Sequence, residues 1–125
     1  MSEVPNLENI TALDTFAEVV FHGEGAVVVD FWAPWCAPCR AFAPTFEAVA
    51  ARHPAVKFLK VDTEAHPEIG QAAGIRSLPT IGLYWKGTLR DVIIGAQPPA
   101  AFEKRVQALE DRAAGKGFLA RLLGR

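Results

Sequence analysis

Residues 26–40 of the chain read AVVVDFWAPWCAPCR. The first seven form a short apolar run rich in β-branched side chains, which is typical of a strand buried on both faces of a sheet. Cys36 and Cys39 follow, separated by two residues, at the start of the helical pattern that comes next. This segment therefore predicts a pair of cysteines held where a central strand passes into a helix.

The position of this pair indicates its chemistry. At the start of a helix, unpaired N–H groups and the positive end of the helix dipole favour a thiolate on Cys36, and the thiolate is the form that attacks a disulfide. Cys39, one turn later and facing the domain, would then attack the mixed disulfide and leave the two cysteines joined. Pro38 suits the first turn, where a missing N–H group costs no helical hydrogen bond. The pattern predicts thiol-disulfide exchange, with Cys36 as nucleophile and Cys39 as resolving cysteine.

Two other uses of the pair are weaker. A zinc site needs two further ligands, but the chain has no other cysteine, and its histidines, His22, His53 and His66, show no clustered spacing. We therefore expect no metal, and we interpret the histidines as surface or turn residues with no role as a catalytic base. A purely structural disulfide closing so short a loop would restrict the unfolded chain little.

Outward from this segment, strand and helix patterns alternate and then give way to a hairpin. Helices are predicted at residues 11–21, from Cys39 to about His53, at residues 67–73, and after Pro98-Pro99 to near Gly115. Strands are predicted at residues 26–32, 56–61, 80–85 and 88–94, the last two joined by a turn at Lys86-Gly87. This order predicts a mixed sheet covered by helices on both faces.

Local signals refine these elements. Thr11 and Asp14 are spaced as a capping box for the first helix. Pro44 removes a backbone donor inside the second helix and should kink it. Phe58 and Leu59 are expected on opposite faces of their strand, because side chains alternate along a strand.

The composition excludes several classes of protein. Half of the 125 residues are hydrophobic and 22% are charged, which favours a folded domain over a disordered chain or a coiled coil. The net charge of −1 gives no general attraction to nucleic acid or to an anionic membrane. No apolar run is long enough to span a bilayer. The first residues lack the pattern of a secretory signal, so we expect a cytoplasmic location.

The chain is expected to hold one domain, residues 1–112, and a short C-terminal extension, residues 113–125. From Arg112 onward the charges are four basic and none acidic. Such a basic amphipathic tail can contact a membrane or a partner protein. Alternatively, its leucines pack on the domain as the frayed end of the last helix.

Several separated segments resemble the thioredoxin family, in the order in which the family has them. Residues 27–40, with the motif Trp-Cys-Ala-Pro-Cys, resemble its active-site segment. The others are Pro44 at the family's helix kink, Val61-Asp62 at the end of a strand, residues 74–80 before the hairpin, and Gly95-Ala96 after it. The resemblance covers roughly residues 4–112 and is far more specific than a lone Cys-x-x-Cys.

The resemblance implies an α/β thioredoxin fold, a five-stranded mixed sheet flanked by four helices. It implies a protein disulfide reductase that serves electron transport and cell redox homeostasis through a redox-active Cys36–Cys39 disulfide. Such a protein is a monomer without a bound cofactor. Thioredoxin reductase would recharge it with electrons from NADPH, and oxidised proteins would be its substrates.

The resemblance also implies a docking surface around Cys36. Leu78-Pro79 matches a cis peptide bond of the family, which offers the backbone of Leu78 to an extended substrate; from the sequence alone an X-Pro bond is trans by default. The docking surface would comprise Trp35, Ala37, Pro38, Leu78, Pro79, Ile94, Gly95 and Ala96. For Ile94, packing in the core is an equally good interpretation.

Asp30 interrupts a strand that is otherwise apolar. Burying an ionised carboxylate without a partner costs on the order of several kcal/mol or raises its pKa. By resemblance, Asp30 is a general base that helps to deprotonate Cys39, directly or through a water. The alternative is an acid held by hydrogen bonds in the core.

Two positions depart from the family. Ala37 stands where glycine is common, and its methyl group adds bulk and stiffness beside the first cysteine. Phe58 stands where many thioredoxins carry a lysine near the buried acid; Lys57 and Lys60 flank it, but Lys57 should point to the opposite face of the strand. Without a nearby cation, Asp30 is expected to titrate higher.

Two other functions stay open at this stage. The same scaffold can work as a disulfide oxidase or isomerase, and the reduction potential decides between these and a reductase. From a different class, the apolar surface around the cysteines could belong to a binding or holdase module with incidental cysteines, aided by residues 118–125.

Overall fold

One mixed sheet forms the central layer of the molecule. The structure, a computed structural model, describes residues 4–115. The strands are β1 (Leu7–Asn9), β2 (Ala26–Trp32), β3 (Lys57–Asp62), β4 (Thr80–Trp85) and β5 (Thr88–Ile94), in the spatial order β1-β3-β2-β4-β5. Strands β1 and β2 run parallel to β3, whereas β4 runs antiparallel to β2 and β5. The predicted mixed sheet is therefore confirmed.

Helices cover both faces of this sheet, as predicted. They are α1 (Leu13–Phe16), which continues as a π-helical segment (Ala17–Phe21), α2 (Ala37–Arg52), α3 (Pro67–Ala72) and α4 (Pro99–Ala113). Helix α2 continues unbroken through Pro44. No helix within residues 4–115 has the length and hydropathy needed to cross a membrane.

The predicted capping box of the first helix is wrong. Helix α1 begins at Leu13 with Ala12 as its N-cap, and no side chain caps it by a hydrogen bond. Because the helix starts two residues later than the pattern suggested, Thr11 lies ahead of the N-cap. Asp14 instead lies in the first turn, where its negative charge is favourable next to the helix dipole.

Strand β2 divides the interior into two cores, because its side chains alternate between the faces of the sheet. One face of the sheet, the α2/α4 face, packs Val28 and Phe58 against residues of α2 and α4, namely Phe42, Phe46, Val49, Phe102 and Val106. The other, the α1/α3 face, packs Val29 and Leu59 against Phe16, Val20 and Ile69. The expectation that Phe58 and Leu59 point to opposite faces is confirmed.

Strand β1 has no signature of its own in the hydrophobic pattern and was implied only by the family resemblance. It is three residues long and, among residues 4–115, pairs only with β3, with Leu7 opposite Phe58. The side-chain nitrogen of Asn6 lies 2.8–2.9 Å from the carbonyl oxygens of Ala50, His53 and Val56. These contacts fasten the start of β1 to the segment that joins α2 to β3.

The hairpin turn is confirmed at Lys86-Gly87. Both residues have positive φ angles, 53° and 76°. Positive φ at both central residues is the requirement of a type I′ turn, whose twist matches that of the flanking strands.

His53 begins the turn between α2 and β3, where the N–H of Val56 donates to its carbonyl oxygen at 3.0 Å, but it is not a surface residue, because only 4% of it is exposed. It caps the C-terminal end of α2, and α4 packs across it. Its Nδ1 lies 2.7 Å from Oε1 of Glu110, and its Nε2 lies 2.9 Å from Oε2 of Glu103. Burial here follows from two acidic side chains on α4, a long-range feature that the local sequence around His53 does not contain.

The predicted boundary between the domain and its C-terminal extension falls within the last turn of α4, which ends at Ala113. Gly115, with a φ of 75°, follows the helix end. The basic tail beyond residue 115, including residues 118–125, lies outside the described residues, so both interpretations of it stay predictions.

We expect Phe46→Ala to lower the free energy of unfolding by about 3–5 kcal/mol, because it empties a site in the α2/α4 core. The Phe46 ring lies 5.3 Å from the ring of Phe58 and 5.9 Å from that of Phe102, centroid to centroid. Phe21→Ala, at a ring that is 36% exposed, is the matched control and should cost clearly less. Urea unfolding measures both, and equal losses would contradict this description of the core.

Candidate active site

The two cysteines lie at the turn between β2 and α2. After β2 ends at Trp32, the chain turns so that the N–H of Cys36 donates to the carbonyl oxygen of Ala33, at 3.1 Å. Cys36 is the N-cap of α2, with extended φ and ψ angles of −87° and 105°, and Pro38 lies in the first turn. The predicted position of the pair, between a central strand and a helix, is confirmed.

Cys36 and Cys39 form a disulfide, so the structure holds the oxidised form of the pair. Their Cα atoms are 5.3 Å apart, and both residues are almost fully buried. The backbone N–H of Cys39 donates a hydrogen bond to Sγ of Cys36, with N and S 3.3 Å apart. Negative charge on that sulfur would be stabilised by the same N–H group and by the end of the helix dipole.

Asp30 lies completely inside the sheet, on the same face as Val28 and therefore under α2 and α4. Within residues 4–115 neither of its carboxyl oxygens has a hydrogen-bond partner. Among these residues, no protein group therefore supplies the hydrogen bonds that the alternative of a structural core acid requires. Burial raises the pKa of Asp30 from 3.8 to about 7, and the positive charge of Lys60 opposes this rise.

The expectation that Asp30 lacks a neighbouring cation is also wrong. In the register of β2 and β3, Phe58 lies opposite Val28, and Lys60 lies opposite Asp30. The Nζ atom of Lys60 sits 5.0 Å from the centre of the Trp32 ring. Sequence reasoning compared only position 58 with the family and missed that the next residue on the same face, Lys60, carries a positive charge.

The cis peptide bond implied for Leu78-Pro79 is present. The N–H of Gly95 donates to the carbonyl oxygen of Pro79, at 2.8 Å, which holds the exit of β5 against this loop. Ile94, just before it, is 62% exposed, so the alternative of packing in the core is wrong for this residue.

Two neighbouring grooves contain part of the predicted docking surface. Trp35, which is 65% exposed, and Leu78 line one groove together with the start of α3. Ile94 lines the other, next to Leu89 and Val92 of β5. The grooves share three residues that sequence reasoning missed: Ile75, Arg76 and Ser77. These three residues lie in the segment before the cis bond, whose resemblance to the family was the signal that could have found them. The hydrophobic pattern of that segment does not indicate a binding surface.

The other members of the predicted surface differ in their exposure. Ala37, Pro38 and Ala96 are exposed, and Gly95 is half-buried. Pro79 is buried, so this residue supports the surface from below. Within the described part of the chain, no cluster of three or more His, Cys, Asp or Glu side chains has the arrangement of a metal site.

A comparison with known proteins identifies the family. The family model named Thioredoxin matches residues 8–108. The chain belongs to the thioredoxin family. The M-type chloroplastic thioredoxin of Chlamydomonas reinhardtii is 41% identical over 95 residues, which cover 75% of this chain and 68% of the relative. The thioredoxin of Streptomyces clavuligerus is 39% identical over 95 residues, covering 76% and 88%.

The solved structures agree with this result. Mitochondrial thioredoxin 3 of Saccharomyces cerevisiae, in its oxidised form, is similar with a TM-score of 0.75 and 31% identity, covering 86% of this chain and 99% of the other. The thioredoxin fold is thereby confirmed. The chain with the Cys36–Cys39 disulfide is thus a protein disulfide reductase, which is a thiol-disulfide oxidoreductase, as predicted. The oxidase, isomerase and holdase hypotheses gain no support from these comparisons.

The buried acid predicts how stability depends on pH. Between its ordinary pKa of 3.8 and its raised value of about 7, the folded protein keeps a proton that the unfolded chain releases. The free energy of unfolding therefore falls as the pH rises through this range, by about 4 kcal/mol for a shift of about 3 pH units. Asp30→Asn should remove this loss.

Urea unfolding of the oxidised protein measures the effect. The stability of Asp30→Asn relative to the parent protein should rise by about 4 kcal/mol between about pH 4 and about pH 9. Glu24→Gln, at an exposed carboxylate, is the control and should show no such change. A constant difference between Asp30→Asn and the parent across this range would show that Asp30 is not a protonated buried acid.

Proposed function

We propose that Cys36 is the nucleophile of this reductase and that Cys39 resolves the mixed disulfide. The observation that carries this assignment is the hydrogen bond from the Cys39 N–H to Sγ of Cys36, at the N-terminal end of α2. The helix end and this donor favour the thiolate at Cys36 once the disulfide is reduced. Cys39, which lies inside the first turn, has no such position.

The reaction then follows in two exchanges. The Cys36 thiolate attacks one sulfur of the substrate disulfide, and the other substrate sulfur leaves as a thiolate. Cys39 loses its proton and attacks the Cys36 sulfur, which forms the Cys36–Cys39 disulfide and releases the second substrate sulfur. Two electrons pass from the protein's dithiol to the substrate, and the substrate leaves as a dithiol after it takes up two protons.

We propose Asp30 as the base that accepts the proton of Cys39. Cys39 is buried one turn before Phe42, on the side of α2 that covers the face of the sheet carrying Asp30. A thiol enclosed in this way needs a proton acceptor, which can act directly or through a bridging water. A carboxyl whose pKa is raised to about 7 by burial both takes up and releases a proton near neutral pH.

Substrates are proposed to be oxidised proteins that present an extended, apolar segment around their disulfide. Trp35 and Leu78 provide apolar contacts in the groove next to Cys36, and Ile94 adds an exposed side chain beyond the cis peptide bond. The eight-residue docking surface therefore stays the proposed contact region, with Ile75, Arg76 and Ser77 added to it.

The electron source is proposed to be thioredoxin reductase, which would use NADPH and pass electrons to the Cys36–Cys39 disulfide. Such a cycle needs no cofactor bound to this chain, because the disulfide itself carries the electrons. The monomeric state and the role in electron transport stay predictions. So does the cytoplasmic location, since one relative named above is chloroplastic and another mitochondrial.

The cysteine roles predict different outcomes for two single variants. Cys36→Ser should reduce a protein disulfide no faster than background, because the attacking sulfur is gone. Cys39→Ser should complete the first exchange and accumulate the mixed disulfide, because nothing resolves it. Mass spectrometry of the intact protein after mixing with a disulfide-linked peptide detects the adduct. An adduct on Cys39 in the Cys36→Ser variant, at the rate of the parent protein, would reverse the assignment.

The docking surface predicts a selective loss of substrate binding. Trp35→Ala should raise KM for a protein disulfide about tenfold, equivalent to about 1.4 kcal/mol, with little change in kcat. Leu13→Ala removes another exposed apolar side chain, on α1 and outside both grooves, and should leave KM unchanged. Equal effects of the two variants on steady-state reduction would contradict a docking role for Trp35.

A further inference from the structure

A row of apolar side chains lies exposed on β5, at the edge of the sheet. Leu89, Val92 and Ile94 are between 44% and 62% exposed. Simple alternation along the strand would place Leu89 and Val92 on opposite faces. However, Arg90 has no partner in the register with β4, and this extra residue turns the two side chains to the same face. The irregularity therefore joins three apolar side chains into one surface.

This surface continues the α1/α3 face of the sheet beyond its core. The residues of β4 opposite the three side chains are Tyr84, Gly82 and Thr80, in the same order. Tyr84 belongs to the α1/α3 core, whereas among the described residues the apolar side chains of β5 on this face remain exposed. The α1/α3 face is therefore open where β4 meets β5.

Gly82 helps to form a groove at this open edge. A Cβ atom at this position would lie 2.7 Å from Cε1 of Tyr84, so even a methyl group would crowd the ring. The groove, here called the β5 groove, has a volume of about 230 Å³ and lies between β5 and residues 73–77. Since a cavity of about 150 Å³ can hold benzene, the β5 groove is large enough for one aromatic or branched side chain.

The β5 groove is continuous with the docking surface proposed above. Ile94 belongs to both, and residues 75–77 line this groove as well as the one that contains Trp35. The end of β5 is held to the cis peptide loop by the hydrogen bond from the N–H of Gly95 to the carbonyl oxygen of Pro79. An extended segment docked at Trp35 can therefore continue across this loop into the β5 groove.

The lining of the β5 groove favours an apolar occupant on an extended chain. Among the described residues that line it, Arg76 is the one with a charge. The hydroxyl of Thr80 already donates to the carbonyl oxygen of Ser77, at 2.6 Å. Within the described part of the chain β5 pairs only with β4, so its outer edge can lie beside an extended segment.

We infer that the β5 groove is a second substrate subsite: it binds a bulky apolar side chain of the oxidised protein, at a fixed distance along the chain from the cysteine that Cys36 attacks. This inference rests on the docking surface proposed above. It adds Gly82, Leu89 and Val92 to that surface, and it names a substrate class, protein disulfides with an aromatic or branched side chain at that distance.

The test uses extended Ser-rich peptides with one cysteine, joined to glutathione in a mixed disulfide. A single Phe is moved from two to six residues on either side of the cysteine. The readout is the second-order rate constant for reduction of each peptide by the protein, previously reduced with dithiothreitol, measured by acid quench and chromatography. One position of Phe should raise this constant about tenfold over the peptide without Phe. Its immediate neighbours should not, because side chains alternate along an extended chain.

Two results with this peptide series would overturn the inference. An equal rise at every position of Phe would show a general attraction to apolar peptides. No rise at any position would show that the β5 groove does not select substrates.

Variants of the groove walls assign the preference to this place. Val92→Thr keeps the shape of the side chain and adds a hydroxyl, and Leu89→Gln makes the other wall polar. Both should lower the preference for the best Phe peptide from about tenfold to below about threefold. Thr88→Ala is the matched control, at an exposed residue of β5 outside the groove, and should keep the full preference. An undiminished preference in both wall variants would contradict the inference.

Trp35→Ala separates a failure of the subsite from a failure of the docking surface. It should slow the reduction of peptides with and without Phe by the same factor. If it does so while no position of Phe matters, the docking surface stands and the subsite is rejected. If it slows neither peptide, the docking surface is rejected and the inference with it.

Sedimentation tests the other occupant of an apolar sheet edge, a second copy of this chain. The parent protein should sediment as a monomer at the concentrations of the peptide experiment. A dimer of the parent protein that Val92→Thr dissociates would assign the β5 groove to the second copy and overturn the inference.

Discussion

Strand β2 is hydrogen-bonded to a strand on each side and covered by helices on both faces. Every side chain from Ala26 to Phe31 is therefore enclosed, and only Trp32 at the end is half-buried. Because the position of this strand is determined from four sides, the turn that follows it has little freedom. The disulfide, the start of α2 and the buried acid all take their places from this one strand.

The two cysteines receive different surroundings from this arrangement. Cys36 caps the helix and accepts a hydrogen bond from a backbone N–H, which stabilises negative charge on its sulfur. Cys39 lies one turn inside the helix, and Asp30 is the acid proposed to accept its proton. Burial of Asp30 lowers the free energy of unfolding above neutral pH. The positive charge of Lys60 makes this loss smaller. The folded protein is thus less stable because of Asp30, the residue that the proposed reaction needs.

Local patterns were sufficient for the elements that bury a full apolar face. The residues of three elements explain their own structure: the β-branched run of β2, the spacing of Phe42 and Phe46 on α2, and the positive-φ turn at Lys86-Gly87. The position of the cysteine pair followed from β2 and α2 together. Resemblance to the family added the cis bond before Pro79.

Features that depend on distant partners were not predictable in this way. Strand β1 is stabilised by its pairing with β3 and by the contacts of Asn6. Because these partners lie far along the chain, the three residues of β1 carry no periodic signal of their own. His53 is buried by glutamates 50 and 57 residues further along the chain. The cation beside Asp30 depends on the register of β2 against β3.

The most direct test of the central claim, that this site is a reductase, is the reduction potential of the Cys36–Cys39 pair. It is measured by equilibration in redox buffers at about pH 7 and read from tryptophan fluorescence. The account predicts a value close to the thioredoxin value of about −270 mV, and a value near about −120 mV, typical of a strong disulfide oxidant, would contradict it.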